Sequence, residues 1–371
     1  MAPKIMMSAA EVSADLFGSR LVEELKGCKL FGMGGEKMRR AGVDVRIDIT
    51  EKSSIGIVEA LRYIPQHLST LRSLKQMLVR EKPDAIILID AQGLNMPLAE
   101  FAKSRGVKTI YYIAPQEWLW GTKKGIDKIA RTIDLIISIF KKEHEIFKAA
   151  GGNSFFFGHP LLDTVRSSMD REDFCGKFEL NAREKLVALC PGSRHHEIKD
   201  LLSILLEVAV LMKGAQFVLP VSSSKFKAEI EKKTAKLPIN IRIIEGHNYD
   251  VLANSDLVIA KSGTIVLESV MLNTPVIMFY KLSPATYWIA KHLLGVKLRF
   301  YSMPNILANK MVVPEYVMQD ATVENIYNEA VRILADPLRA KAGYAEVRAL
   351  LGEKGATAKA AGKILEFIGA I

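Results

Sequence analysis

The sequence predicts an α/β chain built as two successive doubly wound halves, and three observations carry that expectation. Short apolar runs, such as Ala85 to Ile89 and Leu257 to Ile259, alternate with stretches of helical periodicity. Small polar turns follow those runs directly, as they do in parallel-sheet βα units. Finally, Gly158-His159-Pro160 interrupts the alternation, which restarts beyond it and so marks a domain junction. A length of 371 residues also favours two domains of ordinary size over one.

Composition narrows the class. Hydrophobic residues make up 49% and charged residues 25%, an ordinary globular balance with ample material for a core. The net charge of +10 and a pI of about 9.3 point to an anionic partner, whether nucleotide, nucleic acid or an anionic membrane surface. Cys28, Cys175 and Cys190 are scattered without ligand spacing, which fits a reducing cytosol. The first apolar run is interrupted by Glu11, so no signal peptide is expected, and no stretch reaches transmembrane length.

In the first half, Lys4 to Ser8 reads as a buried strand entering a helix through Ala9 to Asp15. Ser13 fits a helix cap there, and Asp15 in the first turn suits the helix dipole. Gly34-Gly35 lacks a full dinucleotide fingerprint. From Ser53 to Arg80, apolar positions including Val58, Leu61 and Ile64 interleave with Arg62, Arg72, Lys75 and Arg80. Pro65 should split this stretch into two helical pieces. Such a segment lies either on a membrane surface or on the protein's own core. The strand Ala85 to Ile89 ends in Asp90, where parallel sheets bind ligands; Asp90 serves as a general base, as a hydroxyl holder or as a helix cap. After the strand Thr109 to Ile113, Glu117, Trp118 and Trp120 form a sugar or acyl platform, or simply pack the loop. Strand Leu135 to Ile139, a helix to Ala150 and strand Phe155 to Phe157 complete the series.

The second half opens with strand Leu186 to Leu189 and the turn Cys190-Pro191-Gly192-Ser193-Arg194, where an arginine able to grip phosphate meets a helix start. His195 and His196 are adjacent and so face different sides of a helix, which argues against a metal site. Further strands follow at Gln216 to Val221 and Ile241 to Ile244. Then Leu257 to Tyr280 reads strand, Lys261-Ser262-Gly263-Thr264 turn, helix, strand: a βαβ unit whose turn suits an anion such as phosphate. Glu268 stands on that apolar helix, four residues after Thr264 and roughly 6 Å along the axis. That offset matches the step from a diphosphate to the ribose hydroxyls of one nucleotide; the alternative is a glutamate reaching solvent or a lysine. A helical tail begins near Asn325 and breaks near Pro337.

Taken in order, the segments AEVSAD (10 to 15), IGIVEAL (55 to 61), ILIDAQGLN (87 to 95), YYIAPQEWLW (111 to 120), FFGHPLLD (156 to 163), PGSR (191 to 194) followed by Glu197, SGTIVLE (262 to 268) and SMPNILA (302 to 308) resemble the lipid-A-disaccharide synthases along nearly the whole chain. The resemblance implies a GT-B type fold, two Rossmann-like doubly wound domains facing across a cleft. Residues 1–160 would form an acceptor- and membrane-facing domain, with a tail of about 345–371 packing back on it, and 161–344 a UDP-sugar donor domain. Two departures stand out. The family's GEASGD has Ala10 and Ala14 here in place of glycines, and its IDxPDFN has Gln92 for the proline and Gly93 for the second carboxylate.

The activity this resemblance implies is an inverting, metal-independent transfer. A diacylglucosamine unit passes from its UDP adduct to diacylglucosamine-1-phosphate, on the cytoplasmic face of the inner membrane, with a homodimer as one assembly. Asp90 would be the base. Gly192, Ser193, Arg194, Ser262, Gly263, Thr264, Glu268 and Asn305 would hold the UDP-sugar. Glu11, Ser13, Asp15, Asn95, Glu117 and Trp118 would line the acceptor side, and Val58, Leu61, Arg62 and Ile64 would meet the membrane. No metal and no other cofactor is expected, and nucleic-acid motifs are absent. Competing readings are another GT-B enzyme acting on a UDP-amino sugar, or a non-catalytic lipid or nucleotide binder.

Overall fold

The computed structural model describes residues 2–49, 64–192, 195–221, 226–235, 237–281 and 299–370. The chain divides into two compact units, one formed by Met1–Asp163 with Leu351–Ile371, the other by the described residues between them. Sequence patterns place the junction at Gly158 to Pro160, and the family resemblance implies a returning tail from about 345. In the structure the division falls at Asp163/Thr164 and the return at Leu351.

The first unit is a seven-stranded sheet in the order β3-β2-β1-β4-β5-β6-β7, with every pair parallel. Its strands are β1 (Lys4–Ala9), β2 (Lys29–Met33), β3 (Asp44–Ile47), β4 (Ala85–Ile89), β5 (Lys108–Tyr112), β6 (Leu135–Ser138) and β7 (Ser154–Phe156). Helices cover the sheet, so central strands must be apolar on both sides, and all five residues of β4 are buried. On one face Met6, Ile86, Leu88 and Tyr111 pack against Leu74, Leu78, Leu98 and Ala99. Pro65 sits in the first turn of the helix Ile64–Glu81, where a missing N–H does no harm. Residues 50–63, including Val58, Leu61 and Arg62, lie outside the described residues, as does the side chain of Ile64.

The C-terminal helix Ala356–Ile368 belongs to this unit and packs on the helix Val12–Glu24. Its start is pinned by Asp163, whose carboxylate accepts the N–H groups of Gly355 at 2.6 Å and Thr357 at 2.9 Å. Gly158 lets the returning chain pass: at φ 112°, any Cβ there would lie 2.5 Å from the Glu353 carbonyl.

The second unit has six parallel strands in the order β10-β9-β8-β11-β12-β13. They are β8 (Lys185–Cys190), β9 (Ala215–Val221), β10 (Ile241–Glu245), β11 (Leu257–Lys261), β12 (Val276–Tyr280) and β13 (Glu315–Val317). The helices His195–Leu211 and Val323–Ala335 bury one face through Leu201, Leu205, Val208, Ile326 and Ile333. Sequence patterns do not separate β3 or β13, one edge strand of each sheet, because both are short and half-polar.

Candidate active site

In each sheet the strand order reverses once, between β1 and β4 and between β8 and β11. At such a switch point neighbouring connections leave in opposite directions and open a crevice at the carboxyl ends of the strands. In the first unit a cavity of about 270 Å³ occupies that place, lined by Ala10, Glu11, Asp90, Gln92 and Gly93 among others. Glu11 and Asp90, far apart in sequence, thus reach one pocket because β1 pairs β4 in parallel register.

Asp90 is held in an unusual backbone. It has φ 51° and the next residue, Ala91, φ 47°, two consecutive left-handed positions without a glycine. Such strain persists where neighbours over-determine it. The Asp90 carbonyl accepts Asn95 Nδ2 at 2.7 Å and Tyr111 Oη at 2.6 Å, while its N–H donates to Ile113 O at 3.2 Å. Burial, aided by the Asp90 charge, raises the Tyr111 pKa well above the usual phenol value, so the hydroxyl stays a donor. Gln92 donates from Nε2 to Glu117 Oε1, which ties the Asp90 loop to the loop after β5. On the helix Lys141–Ala149, Glu143 is fully buried, and its carboxyl is pushed up to about 8, first by burial and in part by the Asp90 charge.

The structure describes the surroundings of four residues expected on the acceptor side. Asn95 is completely buried; its Oδ1 accepts Ser8 Oγ at 2.6 Å and its amide serves the carbonyls of Ser8, Ile89 and Asp90. It therefore shapes the Asp90 turn and presents nothing to a ligand. Asp15 is also buried, with its carboxylate accepting the N–H groups of Gly35 (2.8 Å), Lys37 (3.0 Å) and Met38 (3.0 Å). It caps the next helix, Glu36–Arg40, rather than facing an acceptor. Trp118 packs on Phe140 at 5.7 Å under the Lys142 ammonium, so loop packing is the reading its contacts favour. Ser13 is half-buried in the first turn of its helix, where the N-cap is Glu11 and no side chain caps.

The second crevice gathers two turns. Gly192 follows β8 at φ 124°, and a Cβ there would stand 2.2 Å from Glu197 Oε2. Glu197 is buried and forms a 2.8 Å ion pair with Lys261, the last residue of β11. The Lys261 ammonium also lies 5.4 Å from the Tyr280 ring centroid at the end of β12. Next in the chain, Ser262 is half-buried, Gly263 and Thr264 are exposed, and the helix Thr264–Met271 begins with its N–H groups at this spot. Glu268 is half-buried, and its charge joins burial in raising the Cys190 thiol, which sets the carboxylate beside the end of β8. Ser193 and Arg194 lie outside the described residues.

Asn305, expected on the donor side, is fully buried and internal. Its Nδ2 donates to Val313 O and Glu315 Oε1, both at 2.7 Å, and its Oδ1 accepts Val312 N (2.7 Å) and Val313 N (2.8 Å). It knots the loop that leads into β13. The Lys261–Glu197 pair, Tyr111, Gln92 and Glu143 do not stand out as site residues in the sequence. Lys261 leaves one signal there, a cation closing the otherwise apolar run LVIAK. Among the described residues no group of three His, Cys, Asp or Glu side chains could hold a metal ion.

Two parallel α/β units, each with its polar turns at the switch point, define the GT-B class. Solved structures agree in fold: an S. aureus MnaA–UDP co-structure superposes with TM-score 0.68 at 14% identity, covering 100% of this chain and 98% of that one. Acinetobacter baumannii MurG gives 0.54 at 15% identity, with both chains fully covered. Sequence relationships then fix the family. The model of the lipid-A-disaccharide synthetase family matches residues 5–364. A lipid-A-disaccharide synthase from Geobacter metallireducens is 37% identical over 377 residues, 99% of this chain and 97% of that protein. Another, from Nitrosococcus oceani, is 32% identical over 366 residues, covering 96% and 94%. The chain belongs to the lipid-A-disaccharide synthetase family, a family of glycosyltransferases.

Proposed function

We propose that this chain condenses UDP-2,3-diacylglucosamine with 2,3-diacylglucosamine-1-phosphate, giving lipid A disaccharide-1-phosphate and UDP. The observation that carries the proposal is Asp90 at the β1/β4 switch point of a chain matched to the family from residue 5 to 364. Asp90 takes the proton of the acceptor's primary hydroxyl as that oxygen bonds to the donor's anomeric carbon. The bond from that carbon to the diphosphate breaks on the opposite face, its electrons leave with UDP, and the configuration inverts. Gly192, Ser193, Arg194, Ser262, Gly263 and Thr264 hold the diphosphate through turn N–H groups and the arginine, and Glu268 accepts from the ribose hydroxyls. Glu11 lines the acceptor pocket with Asp90. This scheme uses no metal ion.

A peripheral location on an anionic membrane fits the same reading. The helix Ile64–Glu81 exposes Leu68 and Val79 beside Arg72, Lys75 and Arg80, and each cation near anionic lipid adds about 1 kcal/mol. No helix among the described residues is long and apolar enough to cross a membrane.

The direct test incubates purified protein with both lipid substrates and follows product mass. Absence of disaccharide phosphate would sink the reaction. Asp90→Asn should lower kcat by about 10²–10⁴-fold; turnover equal to wild type would remove Asp90 from the role of base.

A further inference from the structure

One buried cation at the second crevice has no part in the reaction scheme. Strands β8 and β11 pair across the switch point, with Ala260 opposite Cys190, so Lys261 and the Pro191-Gly192 turn leave the sheet side by side. Lys261 is buried, and its ammonium lies 2.8 Å from Oε1 of Glu197 on the helix His195–Leu211. The Tyr280 ring, its centroid 5.4 Å away at the end of β12, borders the same ammonium. A buried ion pair is seldom more stabilising than apolar side chains of like volume. A pair kept where two apolar strands end therefore calls for a use beyond fastening them.

The glycines of the two turns show where the charges stand. A Cβ built on Gly263 would meet, among the described residues beyond its chain neighbours, one atom within 4 Å: Lys261 Nζ at 3.9 Å. Gly263 is exposed, and its φ of 161° is extended backbone that any residue adopts. Backbone geometry makes no demand for glycine there; what the missing side chain leaves is room beside an ammonium. A Cβ on Gly192 would instead overlap Glu197 Oε2, so the carboxylate is pressed against the β8 turn. The Lys261 side chain is 10% exposed and that of Glu197 4%, so the cation is the more open of the two charges.

We propose that Lys261 is a second cation for the donor's diphosphate, besides Arg194, held toward the Ser262-Gly263-Thr264 turn by Glu197 and Tyr280. An anion seated on the N–H groups of that turn meets the ammonium through the space beside Gly263. The negative charge that builds on the departing UDP is then countered from the end of β11. This role rests on the diphosphate lying at these turns, and the test keeps the two ideas apart.

Calorimetric titration of the purified full chain with UDP supplies that test. Lys261→Met should raise the UDP Kd by about 10–100-fold, and so should Lys261→Met combined with Glu197→Gln, which removes both charges together. Glu197→Gln alone keeps the ammonium and an oxygen to accept from it, and should bind UDP at least as tightly as wild type. A pair that merely fastens two turns would lose affinity alike when either partner is changed. Gly263→Ala should melt as wild type does, since no described atom beyond its chain neighbours stands closer than 3.9 Å to the new methyl. That methyl fills the room beside the ammonium, so UDP should weaken by a similar factor, which decides the matter even where Lys261→Met does not fold. Wild-type affinity in the double variant or in Gly263→Ala, or equal weakening in Glu197→Gln and Lys261→Met, overturns Lys261 as this cation and leaves the donor site standing. Failure of the wild-type chain to bind UDP overturns both.

Discussion

Asp90 and Ala91 hold left-handed backbone angles because Asn95, Tyr111 and Ile113 grip the Asp90 peptide groups from three sides. Asn95→Leu keeps the side-chain size but strands buried carbonyls and Ser8. It should cost about 1–3 kcal/mol in urea unfolding and lower kcat more than it raises KM, since the base is misplaced while the pocket remains. Equal loss of kcat in a variant with wild-type stability would contradict that account. Gly93 is the opposite case. Nothing lies within 4 Å of a Cβ built there, and the position is in the first turn of the helix Gln92–Ser104. Gly93→Asp, which supplies the carboxylate the family pattern carries, should leave the melting temperature unchanged or raised, as a carboxylate near a helix N-terminus does. In the second unit, Lys261→Met removes the ammonium paired with buried Glu197 and should destabilise by about 3–5 kcal/mol, with Glu197→Gln in the same chain restoring part of it. Asp15, Asn95 and Asn305 show why sequence motifs misassign such side chains: a motif gives the residue type, but not whether its polar atoms face a ligand or a neighbouring backbone.

At the scale of elements, the apolar runs, the polar turns after them and the junction near Gly158 were legible, because parallel strands buried on both faces leave uninterrupted apolar sequence. β3 and β13, one edge strand of each sheet, and the exact return of the C-terminal tail were not. That return depends on Asp163 capping the helix Ala356–Ile368 from nearly 200 positions away, which no local pattern encodes. Asp163→Ala should lower stability by about 0.5–2 kcal/mol, and limited proteolysis should then release the tail helix before the rest of the unit opens. Proteolysis starting elsewhere would argue against this anchoring role.

Over the whole molecule, the buried Glu143 makes stability depend on pH in an unusual direction. Its folded value, about 8, stands above the ordinary carboxyl value of 4.5, so the folded chain binds the proton more tightly than the unfolded one. That stabilising contribution is complete below about pH 4.5 and is lost as pH rises through about 8. Between those two values each step of one in pH removes about 1.4 kcal/mol. Relative to wild type, Glu143→Gln should therefore gain in melting temperature between pH 5 and pH 8.5, and parallel curves over that range would refute the buried acid.

The sequence by itself determined the class of sheet, the two-part division and the strand ends at which Asp90 and the Ser262-Gly263-Thr264 turn would stand, since apolar periodicity and turn chemistry are local properties of the chain. Only the tertiary structure decided which polar side chains are spent on the scaffold and which face a crevice. It also revealed the Lys261–Glu197 pair. Burial and long-range charge arise from the order in which strands lie side by side, and that order brings together residues whose separation along the chain carries no trace of it.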